Sequence, residues 1–150
     1  MSTSNWLAAD EERAWRGYRR MITVLESRLA RELADGSDLS MTDYEVLSTL
    51  SEADDHRWRI TELAERMCWS PSRLSHHLTR MERRDLVERD SCPTDGRGTV
   101  VRLTDGGMAT LVAAAPDHVA SVRRHLFDHL DDDEVHALAR LSWRVADHLT

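Results

Sequence analysis

Between residues 60 and 103 the spacing of apolar residues changes from helical to alternating, and nothing else in the chain restricts its fold as strongly. Thr61 opens a short helix, Glu62 to Met67, whose Leu63, Ala64 and Met67 share a face. A turn at Cys68 and Trp69 follows. Ser70 then supplies an N-cap and Pro71 the first helical position, where a missing N–H costs nothing. The helix that follows is predicted to run to Arg84. Two β-prone runs come next, Leu86 to Arg89 and Thr99 to Leu103, joined by the loop Cys92-Pro-Thr-Asp-Gly-Arg-Gly98. Helix, helix and hairpin in this order make a small domain that can present one helix and one arm to the same surface.

The second helix divides sharply. Leu74, Leu78 and Met81 fall on one side, and Ser72, His76, Thr79 and Arg80 face away, with Arg73 beside them. Short hydroxyls, arginine and histidine near an exposed helix N-terminus suit entry into a DNA groove, where the helix end attracts phosphate and side chains reach base edges. In the hairpin loop Arg97 stands between two glycines, with Asp95 near enough to hold its guanidinium. Such an arm suits the minor groove.

The charge distribution agrees, although the net charge of -7 does not favour a polyanionic partner. From His56 to Leu103 ten arginines face seven acids, whereas the remaining ten arginines face twenty acids. Every basic residue is arginine, which removes all chemistry that needs a lysine and leaves planar forks suited to phosphate or guanine. There is no Gly-x-Ser-x-Gly, no His-Glu-x-x-His and no phosphate-cradling loop, so the reading is not an enzyme and calls for no cofactor and no metal.

Outside this segment the pattern is helical. Trp15, Tyr18, Ile22, Leu25, Leu29 and Leu33 predict a long amphipathic helix from about Asp10 to Leu33, stopped by Asp35-Gly36-Ser37. Thr42 is the expected cap of the next helix, with Glu45 completing a capping box and Val46, Leu47 and Leu50 buried. Trp58-Arg59-Ile60 reads as a short strand. After Thr104, an N-cap, Leu111, Ala115, Val119, Val122, Leu126 and Leu130 predict a second long helix, kinked at Pro116. Asp131 to Asp133 open a last helix with Val135, Leu138, Leu141, Val145 and Leu149. The surplus apolar stripes predict a homodimer, with Leu126, Leu130, Leu138, Leu141, Val145 and Leu149 at its interface. The organisation expected is therefore residues 1-38 as an N-terminal dimerisation helix, 39-104 as the central domain and 105-150 as C-terminal dimerisation helices.

The stretch ITELAERMCWSPSRLSHHLTRMERRDLVERDSCPTDGRGTVVRLTDGG resembles the winged helix-turn-helix core of the MarR (multiple antibiotic resistance regulator) family. The shared marks are a leucine-alanine helix, Ser-Pro-Ser, Leu-Val-Glu-Arg, Asp-x-Arg and Leu-Thr-x-x-Gly. The resemblance implies a mainly α fold with a small β-hairpin wing, flanked by long dimerisation helices, and a transcriptional regulator that binds a pseudo-palindromic operator in double-stranded DNA. Carried over by position, Ser70, Ser72, Arg73, His76, His77 and Arg80 are the contacts of the recognition helix, Arg97 enters the minor groove and Asp95 orients it. Two positions depart from the family: Asp85 and Cys68 stand where glycine is common.

Members of the family often release DNA when a small aromatic acid binds. Here Trp15, Arg16, Tyr18 and Arg19, with Tyr44, offer arginine beside aromatic rings, a combination suited to a phenolic carboxylate. A repressor released by such a ligand is the leading expectation. The alternative is a winged-helix protein-interaction module that does not read DNA. His118, His125 and His129 recur along one predicted helical face and, with Cys92 in the wing loop, are the residues a metal or oxidation sensor would use. The start of the chain has no basic and apolar leader, and no segment approaches the roughly 20 apolar residues of a membrane span, which points to a cytoplasmic protein.

Overall fold

The structure is a computed structural model that describes residues 6–91 and 98–149. It is mainly helical with one small antiparallel sheet. The elements are α1 (Ala9–Gly36), α2 (Met41–Ser51), β1 (Arg57–Arg59), α3 (Ile60–Arg66), α4 (Pro71–Glu82), β2 (Val87–Ser91), β3 (Thr99–Leu103), α5 (Asp105–His125), a 3-10 turn (Phe127–His129) and α6 (Asp132–Leu149). Two compact units result, Leu33–Asp117 and the two termini, Met1–Glu32 with His118–Thr150.

The unit Leu33–Asp117 owns the core. Val46, Leu47 and Leu50 of α2, Leu63 of α3, Leu74, Leu78 and Met81 of α4, and Val101 of β3 are fully buried together. The sheet order is β1-β3-β2, both pairings antiparallel, with Trp58 opposite Val101 and Arg89 opposite Val101 across the central strand. Side chains alternate across such a strand, so Val101 and Leu103 are buried while Arg102 stays half-exposed.

Local chemistry explains the junctions. Ser40, not Thr42, caps α2: its hydroxyl accepts from the Asp43 N–H and the Asp43 carboxylate accepts from the Ser40 N–H, both at 3.0 Å, a capping box with aspartate at the third position. Thr61 does not cap α3. The helix begins directly from β1 at Ile60, so Thr61 falls inside the first turn and Arg59 holds the cap position without a side-chain bond. Ser70 caps α4 as expected, accepting from the Arg73 N–H at 3.2 Å, and α4 ends two residues early at Glu82. Thr104 Oγ1 accepts from the Gly107 N–H at 2.9 Å and donates to the Asp85 carbonyl at 2.5 Å, tying the end of the α4–β2 turn to the start of α5. A Cβ on Gly107 would overlap the Leu86 carbonyl and come within 2.9 Å of Leu103 Cδ1, so Leu-Thr-Asp-Gly-Gly marks a close backbone approach.

Both departures from family glycine are left-handed. Cys68 has φ 53° and Asp85 φ 55°, the conformation glycine adopts without cost.

The terminal unit is built from α1, α5 and α6. Glu32 on α1 accepts from Ser121 Oγ at 2.5 Å, Arg124 at 2.9 Å and His125 Nε2 at 2.7 Å, all on α5. The Ser121 bond first, then His125, hold its carboxyl at about 2. α5 runs through Pro116 but stops at His125, shorter than the pattern to Leu130 predicts. Among the described residues no helix is long and apolar enough to cross a membrane.

Candidate nucleic-acid interface

Helix α4 is held on both flanks, which leaves a narrow exposed ridge. On the sheet side, Arg89 of β2 reaches three α4 residues spaced one turn apart. Its Nε donates to Glu82 Oε2 at 2.9 Å, its Nη2 to Glu82 Oε2 at 2.5 Å and to Thr79 Oγ1 at 2.9 Å, and its Nη1 to Ser75 Oγ at 3.2 Å. The Arg89 N–H also donates to Glu82 Oε1 at 3.1 Å. Thr79, expected to face outward, is instead half-buried and occupied by this arginine. One charged side chain thus adds a polar tie between β2 and the helix to the apolar packing of Val87 and Val101 in the same core as Leu78 and Met81.

On the opposite flank the residues are aromatic and ionic. Arg73 lies over the Trp69 ring at 4.0 Å, a cation–π contact that limits where its guanidinium can swing. His77 does not join the exposed face: it is 7% exposed, with its ring edge-on to Trp69 at 5.8 Å. The physical reason is its place on the helical wheel, about 40° from Met81, which turns it toward the core. Its Nε2 lies 2.9 Å from Asp43 Oδ1, close but poorly aligned for a hydrogen bond, and its Nδ1 lies 2.9 Å from Arg80 Nη2. Arg84 closes the group, donating to Asp43 Oδ2 at 2.7 Å and to the Asp38 carbonyl.

Burial would raise the Asp43 carboxyl, but hydrogen bonds from Arg84 and Ser40 outweigh it and hold the group below the usual carboxylate range. For His77 burial dominates. Together with the nearby Arg80 and Arg84 charges it exceeds the pull of Asp43, so the imidazole is held neutral below its ordinary value.

Of the expected α4 contacts, Ser70, Ser72, Arg73, His76 and Arg80 are exposed along one edge of the helix. Arg97 and Asp95, with Cys92, lie outside the described residues. The strands add cations that the sequence reading passed over. Arg57 pairs opposite Arg102, which is bound to Glu88, and a Cβ on Gly98 at the base of the wing would sit 3.3 Å from Arg59 Nη1. Trp69 was also missed, although its spacing four residues before Arg73 on a turn-helix junction is a visible signal. Arg89 gave none, and Asp43 only that of a capping box with Ser40, because their ionic partners lie elsewhere in the chain.

The other candidates are distributed as follows. Trp15 and Tyr18 stack at 5.8 Å and are half-exposed on α1; Arg16 is paired with Glu12 at 2.6 Å, and Arg19 lines a shallow depression of about 260 Å³ with Trp15, Arg16, Arg20 and Thr23. Tyr44 belongs to the other unit, half-buried against its core, and burial raises its hydroxyl. The histidine row is broken: α5 ends at His125, His129 falls in the 3-10 turn, and His125 is bound to Glu32. Among the described residues no three His, Cys, Asp or Glu side chains group as metal ligands. Leu126, Leu130 and Leu138 are half-buried within one chain, whereas Leu141, Val145 and Leu149 are exposed, as is Trp143.

A two-helix motif with an exposed N-terminal edge, backed by a three-stranded sheet, defines a winged helix-turn-helix protein. Residues 39–99 match the model of the MarR family. Two similar solved structures are MarR family transcriptional regulators from Streptomyces coelicolor. AbsC is 40% identical, covering 97% of this chain and 98% of that one, with a TM-score of 0.90. Sco3205, solved in complex with DNA, is 38% identical over 97% and 94%, with a TM-score of 0.91. The HTH-type transcriptional repressor YetL of Bacillus subtilis is 28% identical over 77% of this chain and 66% of that protein. The chain belongs to the MarR family of DNA-binding transcriptional regulators.

Proposed function

We propose that this regulator is a homodimeric repressor that reads a pseudo-palindromic duplex through paired α4 helices. The observation that carries the reading is the exposed edge Ser72, Arg73, His76 and Arg80, on which both arginines are already held by neighbouring side chains. Pre-oriented guanidiniums lose little freedom on contact with guanine or phosphate, which favours specific readout over loose charge attraction. The DNA complex of the related Sco3205 and the repressor name of YetL support the same assignment. Arg97, oriented by Asp95, is assigned to the adjoining minor groove. Dimerisation is supported by apolar side chains that one chain leaves in water, including Leu141, Trp143, Val145 and Leu149.

Selection from random duplexes, followed by titration of the preferred site at several salt concentrations, tests this reading. A palindromic preference and an affinity falling with a log-log slope near -0.9 per phosphate neutralised are expected. A monomer, or a protein indifferent to duplex sequence, would favour the protein-interaction alternative.

The releasing ligand is assigned to the class of small aromatic or phenolic carboxylates. Stacked Trp15 and Tyr18 beside Arg19 support a ring-and-carboxylate site on α1, with Arg16 engaged by Glu12 and Tyr44 the least supported member. Calorimetry with benzoate as the probe should show binding that Arg19→Ala abolishes; equal heat from both proteins retires the site.

A further inference from the structure

The pair buried behind the recognition helix has a chemical consequence for DNA reading. Arginine can only donate, so His77 Nδ1, 2.9 Å from Arg80 Nη2, must carry a lone pair. The imidazole proton is therefore on Nε2, on the side where Asp43 Oδ1 lies at 2.9 Å. Asp43 cannot move to follow another tautomer. Its Oδ2 is held by the Ser40 N–H at 3.0 Å and by Arg84 at 2.7 Å, and the residue is 3% exposed. Trp69 packs edge-on against the same ring while its own face carries Arg73, so the imidazole stands between the two arginines of the exposed edge.

We propose that His77 is a positioning residue for DNA reading: the Arg80 contact requires the lone pair on Nδ1, the nearby Asp43 charge favours the proton on Nε2, and that lone pair orients the Arg80 guanidinium toward the bases. The proposal rests on α4 being the reading helix. It moves His77 from the contact surface to the layer behind it and makes Asp43, a residue of α2, part of specificity. A flexible arginine would bind phosphate or guanine with little preference, whereas one held at Nη2 presents a fixed fork.

The test separates the two ring nitrogens. Asparagine places its amide near Nδ1 and glutamine near Nε2, so His77→Asn keeps an acceptor for Arg80 and His77→Gln keeps only the Asp43 side. Duplex selection is run with the wild type, both variants, Arg80→Ala and the His77→Gln/Arg80→Ala double variant. Arg80→Ala should flatten the base preference at one symmetric pair of positions by about tenfold. His77→Gln should flatten the same positions, His77→Asn should retain most of the preference, and the double variant should lose no more there than Arg80→Ala alone. Wild-type preference in His77→Gln at the positions Arg80 reads would overturn the proposal, as would an Arg80→Ala protein with no flattened position. If the wild type selects no sequence, the DNA reading itself fails. Nitrogen-15 NMR of the unmodified protein gives a check that needs no variant: the resonances should report Nε2–H and an unprotonated Nδ1, and the opposite tautomer overturns the assignment.

Discussion

Replacing Arg89 with methionine removes the guanidinium that joins β2 to α4 while keeping most of the apolar stem. The group makes four side-chain bonds, to Ser75, Thr79 and twice to Glu82, and both ion-pair partners are mostly buried, at 25% and 29% side-chain exposure. Charge-assisted bonds of this kind contribute more than neutral ones, and losing one partner leaves Glu82 with a partly desolvated charge and only the Arg89 N–H as donor. Discounting for the solvent that still reaches the pair, a loss of about 2–3 kcal/mol in unfolding free energy is expected. Urea denaturation followed by tryptophan fluorescence measures it. A double-mutant cycle with Glu82→Gln should give a coupling of about 1 kcal/mol or more. Because the same contacts tie the hairpin to the helix, operator affinity should fall beyond what instability explains, measured where both proteins are fully folded. An unfolding loss below about 0.5 kcal/mol, with no coupling to Glu82, would show that the network is an ordinary surface ion pair and refute the reasoning.

Gly107→Ala drives a methyl into the Leu86 carbonyl and Leu103, and calorimetric unfolding should show a loss of about 2–4 kcal/mol; near-native stability would contradict the close approach. Cys68→Gly relieves a left-handed residue whose side chain is exposed. The relief of about 1–2 kcal/mol exceeds the added chain entropy of about 0.4–1 kcal/mol, so thermal denaturation should show a gain, smaller for Asp85→Gly because aspartate tolerates the conformation better. Acid should weaken the folded state in two stages. His77 is held neutral below its ordinary 6.5, so its contribution is complete above pH 6.5 and is lost as pH falls toward its lowered value. Asp43 is lowered below 3.8, so its contribution persists to about that pH and is lost as pH falls further. Stability measured against pH should lose the first stage in His77→Asn, and the second should shrink but not vanish in Asp43→Asn, because Glu32, held at about 2, titrates in the same range.

What the sequence determined by itself was most of what depends on near neighbours in the chain, although the caps of α2 and α3 and the ends of α4 and α5 differ from the pattern. Period, caps and turn residues are local, so Ser70-Pro71 located the start of α4, Leu74, Leu78 and Met81 its buried side, and Thr99 to Leu103 the returning strand. Even His77 was legible in principle, since the helical wheel sets it beside Met81 rather than beside His76. Where the choice among local signals needed a partner, sequence was insufficient. Ser40 and Thr42 are both able caps, and the capping box with Asp43, itself engaged by His77 and Arg84, distinguishes them. Nothing near Arg89 announces that it binds Ser75, Thr79 and Glu82, and nothing near Asp43 announces His77. Only the tertiary structure decided which exposed cations are held and by what, because an ion pair depends on distance in space, and folding brings together charges that the chain itself keeps far apart.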